Sequence, residues 1–498
     1  MLRKLTLAAS LAVSGFAMNA NAVDFELFLG GATALDTAVR RLIVIDVCAS
    51  NIEKYSNVAI GFTYRCTPKT GLNGINPATD RVIISKNTVA GSFTGVREVR
   101  NQATLTKPPS PVNLGTSACG AGVAAIEFGI NLTSFICTGN AGTGVPDSGF
   151  SDVEPAIFNS IFTVTPTTAP LGPSWQNGLA SVAAFSQAFG FPVNDKTYRV
   201  LQVAQGLCAS VAACAAADPA FGEALSPSLN IGDVRGMFGG SLLSWDGIDA
   251  NRSTGTSAIA TAAAAAGLDL AVKVCRRGDT SGTNASYRLL CQGAPCLGTA
   301  ALPFFNNGTD NCSVNGTGGT TGTTIGNGGY IGDGTYPNVT ADQCKGNYTV
   351  VVNSGASNVD TCLTKADDFN EMAIGNLGLD RIPGDVGTGA GDDPDGATDK
   401  WHFVKFNGVY PSDANVINCR YELMVESTFN RRSVGNGAAY STQKTSLMDR
   451  LQNASADPAN PLPGTYSLPS RGFNWDGVSQ VIKCERGGSS CNPLSTAF

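Results

Sequence analysis

The chain has 498 residues, a formal net charge of −6, fifteen cysteines and one histidine. The acidic balance argues against a nucleic-acid partner, which needs a basic face. A single histidine excludes zinc sites built on several imidazoles and leaves His402 as the sole imidazole for any Ser-His-Asp or Cys-His scheme.

Residues 1–22 read as an export signal. Arg3 and Lys4 precede the apolar stretch Leu5 to Met18, and Asn19-Ala20-Asn21-Ala22 ends in a small-x-small cleavage pattern. That stretch is short for a bilayer span, and the later run Ala258–Ala266 is broken by Gly267 and Asp269. The expectation is cleavage after Ala22 and an exported protein, periplasmic or extracellular, that does not span a membrane. Fifteen cysteines fit a compartment where disulfides persist. Their spacing predicts local bridges Cys48–Cys66, Cys119–Cys137, Cys208–Cys214, Cys344–Cys362 and Cys484–Cys491. Cys275, Cys291, Cys296, Cys312 and Cys419 are left without an assignable partner, and the odd count leaves one thiol over.

Phe25 to Leu29 reads as a strand. Gly30-Gly31-Ala32-Thr33 follows, and then apolar residues at helical spacing from Ala34 to Ile43. The unit recurs: Arg81 to Ser85, then Gly91-Ser92-Phe93-Thr94-Gly95 leading into Val96 to Val99. It recurs again at Leu270 to Val274, then a loop, then Tyr287 to Leu290. Strands alternating with helices predict an α/β fold with largely parallel pairing. Residues 46–80 and 113–147 read as loop-rich insertions with a close cysteine pair each. Residues 313–338 are a Gly/Thr-rich loop and 384–400 an acidic, turn-rich one.

Several chemistries find no support. His402 lies in the alternating run KWHFVKF and reads as structural. Asp392, Asp393, Asp395 and Asp399 lack EF-hand spacing and read as a solvated loop. No GxxxxGK[ST] phosphate loop occurs. Arg277-Gly278-Asp279 spells a cell-adhesion tripeptide, one too common by chance to carry weight. No cofactor, metal site or enzymatic activity is expected.

The loop Cys275 to Ser286 asks for an oxyanion. Arg277 can fork two N–H donors onto two oxygens, and Asp279 can pair with it and hold the fork still. Ser281 and Thr283 flank Gly282 with hydroxyls. If a helix begins here, its first N–H groups are unpaired and its dipole favours an anion. An ordinary loop with an N-cap explains the same residues equally well. Thr33, Ser92, Thr94, Ser151 and Asp152 stand in similar settings, most of them at strand-to-helix switches, where separate loops can converge on one cleft.

Arg277-x-Asp279-x-Ser281-Gly282-Thr283 resembles the R-x-D-x-S-G-T loop of the periplasmic phosphate-binding proteins of ABC transporters. GGATAL, VAGSFTGVREV and GFSDVEPA are similar to that family's first three ligand loops. LNIGDVRGMFGGSLLSWDGI, EMAIGNLGLDRI and VKFNGVYPSDANVINCRYELMVEST resemble later segments, in the family's order, over roughly residues 25 to 430. The resemblance implies a two-lobe α/β periplasmic-binding-protein-like fold with a hinge, carrying disulfide-bearing loop insertions. It divides the chain into 23–163 and 372–498 for the first lobe and 164–371 for the second. It implies that Thr33, Ser92, Thr94, Ser151, Arg277, Ser281, Gly282 and Thr283 hold the oxygens of phosphate or a related oxyanion. Asp152 then accepts the proton of hydrogen phosphate and repels sulfate, which has none. An ABC transporter membrane component is the implied partner. The chain departs from the pattern at Phe93, where the family uses small residues, and in YELMVEST, which lacks the family's proline. The second expectation is a surface or extracellular structural or interaction protein on this scaffold, with altered or lost anion binding.

Overall fold

The computed structural model describes residues 24–57, 59–89, 91–112, 115, 118–159, 175–249, 256–278, 280–293, 296, 325–326, 348–353, 355–381, 400–433, 439–457, 464–468, 481–487 and 489–496. The export signal, the loop 313–338 apart from residues 325–326, the loop 384–399, Cys312, Cys344 and Asp279 lie outside them.

Two sheets with flanking helices make two lobes. The first sheet is centred on strands Arg81–Asn87, Asp24–Gly31 and Ser148–Ser151, which run parallel. Leu27 pairs with Ile84, and Gly30 with Gly149. Val82, Ile83 and Ile84 are all fully buried, because helices or loops cover both faces of a central parallel strand. Each such side chain contributes about 1.5–3 kcal/mol on burial. Beyond Ser148–Ser151 the sheet continues antiparallel through Met424–Arg432 and Leu179–Gly190.

The insertions differ from expectation. Residues 46–80 contain the antiparallel strands Cys48–Asn57 and Gly61–Pro68, and the latter pairs with Arg81–Asn87. Residues 113–147 add the hairpin Val123–Glu127 and Ile130–Thr138. The first sheet therefore reaches twelve strands among the described residues, and its pairing is mixed rather than largely parallel. Polar residues break the apolar run of these strands in different ways: Cys48–Asn57 has an exposed stretch, whereas every residue of Gly61–Pro68 is buried or half-buried, with Thr63 bonded to Ser85, and the cysteines draw the eye from the strand pattern. Cys48–Cys66 and Cys119–Cys137 join neighbouring strands of this extension.

The second sheet has the order 325–326, Thr349–Asn353, Asp269–Arg277, Glu371–Gly375, Pro192–Asn194, Trp401–Phe403. Its first four strands pair in parallel and the last two antiparallel. Strand Leu179–Gly190 leaves the first sheet, and after Phe191 the chain enters the second at Pro192. The return passes through Asn376, between Glu371–Gly375 in the second sheet and Leu377–Gly378 in the first. Gly190 pairs with Leu377 and Val193 with Ile374, so the two crossings lie side by side as a hinge. These crossings lie C-terminal of the boundaries expected at 163/164 and 371/372, because Leu179–Gly190 first pairs along Met424–Arg432. Strand Trp401–Phe403 belongs to the second sheet, so the chain crosses twice more, out and back, between Gly378 and Met424.

Cys208–Cys214 is local, as its spacing suggests. Two expected bridges are not formed. Cys362 pairs with Cys275, and Cys484 and Cys491 pair with Cys419 and Cys296 rather than with each other. Folding brings helix Ala356–Asp368 against strand Asp269–Arg277, and spatial neighbours override sequence neighbours. Cys291, buried, is the free thiol among the described residues. His402 sits in the second sheet opposite Val193, stacked on Phe221 with ring centroids 3.4 Å apart, as a structural residue would.

Candidate functional site

The site lies where the strand ends of both sheets face each other. In the first lobe Gly31, at φ +104°, ends the strand Asp24–Gly31. A Cβ there would fall 1.9 Å from the Phe150 carbonyl, and one on Gly149 would fall 2.5 Å from the Gly95 Cα. Three loops therefore touch backbone to backbone, which only glycine permits. A helical run from Thr33 to Val47 follows the first of them, with a 3₁₀ start, an α centre and a π end. Helix Thr94–Asn101 follows the second loop and Asp152 the third.

The second lobe contributes Arg277 at the end of strand Asp269–Arg277 and helix Gly282–Gln292. Its backbone enters the first lobe's loops: the Phe93 N–H donates to the Thr280 carbonyl at 3.1 Å. Gly282 stands against Ser92 and Asp152, where a Cβ would lie 2.3 Å from Ser92 Oγ and 2.4 Å from Asp152 Oδ2. Ser92 Oγ accepts the Asp152 N–H at 3.1 Å. Ser92, Asp152, Arg277, Ser281 and Thr283 are all buried. Segments that span residues 92 to 283 in sequence thus form one water-excluded cluster.

The polar groups here are not used up by the fold. Ser281 occupies the N-cap position but makes no capping hydrogen bond. Its Oγ, Thr283 Oγ1, Asp152 Oδ1 and both polar atoms of Asn284 are buried without a hydrogen-bond partner among the described residues. Such atoms cost about 1–3 kcal/mol each if left unpaired, so an ordinary capped loop is a poor account of them. A cavity of about 10 Å³ adjoins the cluster, lined by Thr283, Tyr287 and Asn376 among others. Tyr287 Oη and Asn376 Nδ2 are likewise unpartnered.

The electrostatics are those of a buried opposed pair. Burial pushes the Asp152 carboxyl up to about 6, against the pull of the Ser92 hydroxyl, Arg277 and Lys86. Burial also pulls the Arg277 guanidinium down to about 10, against Asp152. Asp380, pushed up to about 7 by burial, is held back by Arg381 and raised further by Asp152. Cation and carboxylates therefore sit in a low-dielectric site where an added anion interacts strongly.

Not every expected ligand points its proton at this cluster. The hydroxyls of Thr33, Thr94 and Ser151 donate to the carbonyls of Thr88, Gly91 and Val153 at 2.9, 2.9 and 2.6 Å. For Thr94 and Ser151 the acceptor lies two or three residues away and the local bond wins, whereas Thr33 reaches a carbonyl on the neighbouring strand-end loop. Phe93 does not enter the cluster; its ring packs edge-on to Phe158 at 5.5 Å and under Arg97 at 4.7 Å. Asp279, expected to brace Arg277, lies outside the described residues. Asn376 holds the Arg277 main chain, its Oδ1 accepting the Arg277 backbone N–H at 3.2 Å.

Sequence reasoning missed Lys86. It is fully buried, donates to the carbonyls of Gly31 and Ala32 at 3.0 and 2.9 Å, and pairs with Asp36. It locks the first loop and adds a cation behind it. A lone lysine ending the apolar strand RVIISKN was the available signal. Asn376 and Asp380 carried no comparable mark. Among the described residues no group of three His, Cys, Asp or Glu could hold a metal ion, and no helix is long and apolar enough to cross a membrane.

No family model matches the chain, and no curated protein does. Solved structures do. An ABC-type phosphate transport receptor from Vibrio cholerae is 12% identical over 85% of this chain and 93% of its own, with a TM-score of 0.34. PstS from Borrelia burgdorferi is 9% identical over 88% and 95%, with a TM-score of 0.31. A protein of Clostridium perfringens solved with bound phosphate, described as a phosphate ABC transporter substrate-binding protein, is 11% identical over 88% and 99%, with a TM-score of 0.38. These are distant likenesses, and what the site can do follows from its own groups.

Proposed function

We propose that this protein is an exported solute-binding protein that holds a tetrahedral oxyanion, hydrogen phosphate first among them, between its two lobes. The observation that carries the reading is the buried meeting of Arg277, Ser281, Gly282 and Thr283 with Ser92 and Asp152, with several of their polar atoms lacking a partner among the described residues. Arg277 and the free N–H groups opening helix Gly282–Gln292 supply donors for three or four oxygens. Asp152, an acceptor when ionised, supports an anion that still carries a proton. The six disulfides among the described residues support an oxidising compartment. On this reading the protein binds without transforming its ligand, and closed lobes present a surface to a transporter component.

Calorimetric titration of the purified protein with phosphate and with sulfate tests it. Phosphate binding at micromolar affinity or tighter, with sulfate much weaker, supports the reading. No heat and no thermal shift with any oxyanion overturns it. That outcome would favour the second reading, a structural or interaction protein with a lost site, which draws on Thr33, Thr94 and Ser151 already donating to backbone carbonyls.

A further inference from the structure

We propose that the C-terminal segment Cys484–Thr496 is a strap that ties the two walls of the site together and sets how fast a bound anion exchanges. The ligand half of this statement rests on the binding reading above; the mechanical half does not.

The strap is covalently held at two points. Cys484 bonds to Cys419, in the stretch that leads back to the first sheet, and Cys491 bonds to Cys296, just past helix Gly282–Gln292. Helix Gly282–Gln292 is the element that opens with Ser281, Gly282 and Thr283. The adjacent residue, Ser490, grips the opposite wall. Its N–H donates to Glu154 Oε1 at 2.7 Å, and its hydroxyl donates to Glu154 Oε2. Glu154 lies two positions after Asp152. One peptide unit, about 3.8 Å of chain, therefore separates the bond to Cys296, four residues past the last residue of the second-lobe helix, from the bonds to the first-lobe loop. The tether between the walls is thus short and covalently closed on the helix side.

Between these anchors Arg486 lies along the crossing. Its Nε donates to the Met424 carbonyl at 3.1 Å, its Nη2 to the Glu422 carbonyl at 3.3 Å, and its N–H to Glu426 Oε1. The strap is not packed solidly onto the helix. A cavity of about 310 Å³ separates them, lined by Leu289, Leu290, Arg235, Arg486 and both cysteines of the 296–491 bridge. Its hold on the helix is thus concentrated in the disulfide rather than spread over a dry interface. Parting the lobes requires the Ser490–Glu154 bonds to break or the strap to move with both walls.

The test compares the full chain with Cys296→Ser/Cys491→Ser and, separately, with Ser490→Ala, which leaves the disulfide intact. Hydrogen exchange of the ligand-free proteins reads the mechanical half. The double variant should exchange amides in 152–159 and 282–292 about tenfold faster or more, and Ser490→Ala should do so to a smaller extent. Dissociation of radiolabelled inorganic phosphate reads the ligand half, with release accelerated in the same order. Unchanged protection in both variants overturns the strap. So does phosphate release that stays at the wild-type rate while protection falls. If the wild-type protein takes up no phosphate, the binding reading fails, and hydrogen exchange still decides for or against the strap. If the double variant does not fold, Ser490→Ala alone decides.

Discussion

Gly282 and Asp152 touch across the two lobes: a Cβ on residue 282 would lie 2.5 Å from the Asp152 Cβ and 2.4 Å from its Oδ2. The helix start and the carboxylate are thus held at a separation fixed by a missing side chain. Gly282→Ala should drive the walls apart. The expected cost is about 1–3 kcal/mol of stability, seen as a lower melting temperature, together with loss of phosphate binding by calorimetry.

Arg277 is almost wholly buried, and Asp152 and Asp36 keep its charge favourable there. Arg277→Lys keeps a charge but loses the planar fork, so phosphate affinity should fall about ten- to a hundredfold. Arg277→Ala also leaves Asp152 without its closest opposed cation and should abolish measurable binding. Unchanged affinity in the alanine variant would mean the anion binds elsewhere.

Selectivity should depend on pH. The Asp152 carboxyl, pushed up to about 6, is ionised at pH 7.5 and largely protonated at pH 5. On the proposed reading, the ionised carboxylate accepts a hydrogen bond from hydrogen phosphate and repels sulfate. Protonated, it becomes a donor and can serve sulfate. The ratio of phosphate to sulfate affinity should therefore shrink on going from pH 7.5 to 5, and Asp152→Asn should show the low ratio at both. Competition titrations at the two pH values check this.

Stability should fall as pH rises. Glu371 is buried beside Lys273 at 3.4 Å, and burial pushes its carboxyl up to about 7 from 4.5, against the pull of Lys273. The folded state binds this proton more tightly than the unfolded chain. The stabilisation is therefore complete below about pH 4.5 and lost as pH rises through about 7. Asp152 and Asp380 shift in the same direction. The melting temperature should be higher at pH 5 than at pH 8, and Glu371→Gln should flatten part of that slope.

The chain-local part of the candidate cluster was legible: Arg277, Ser281, Gly282 and Thr283 stand together in sequence, and the helix they open begins where the pattern places it. The strands Asp24–Gly31, Arg81–Asn87 and Asp269–Arg277 were legible for the same reason, their apolar runs being bounded by small-residue loops. What was not legible depends on distance in the chain. Cys275 finds Cys362 across 87 residues, and Cys296 finds Cys491 across 195. Lys86 and Asn376 matter only because folding sets them behind Gly31 and Arg277. The strands of 46–80 were hidden by polar residues that interrupt the apolar run: Cys48–Asn57 exposes Ala49, Ser50 and Asn51, while Gly61–Pro68 buries Thr63 against Ser85 inside the sheet.

The glycine contact among residues 31, 95 and 149 has a consequence for how such a site can change. The first-lobe loops meet main chain on main chain, so a side chain added at any of the three positions cannot be absorbed by degrees. Gradual change in what the proposed site accepts would have to come from the side chains around that contact, Ser92 and Asp152 on one wall and Arg277, Ser281 and Thr283 on the other, with the backbone junction left as a fixed gauge.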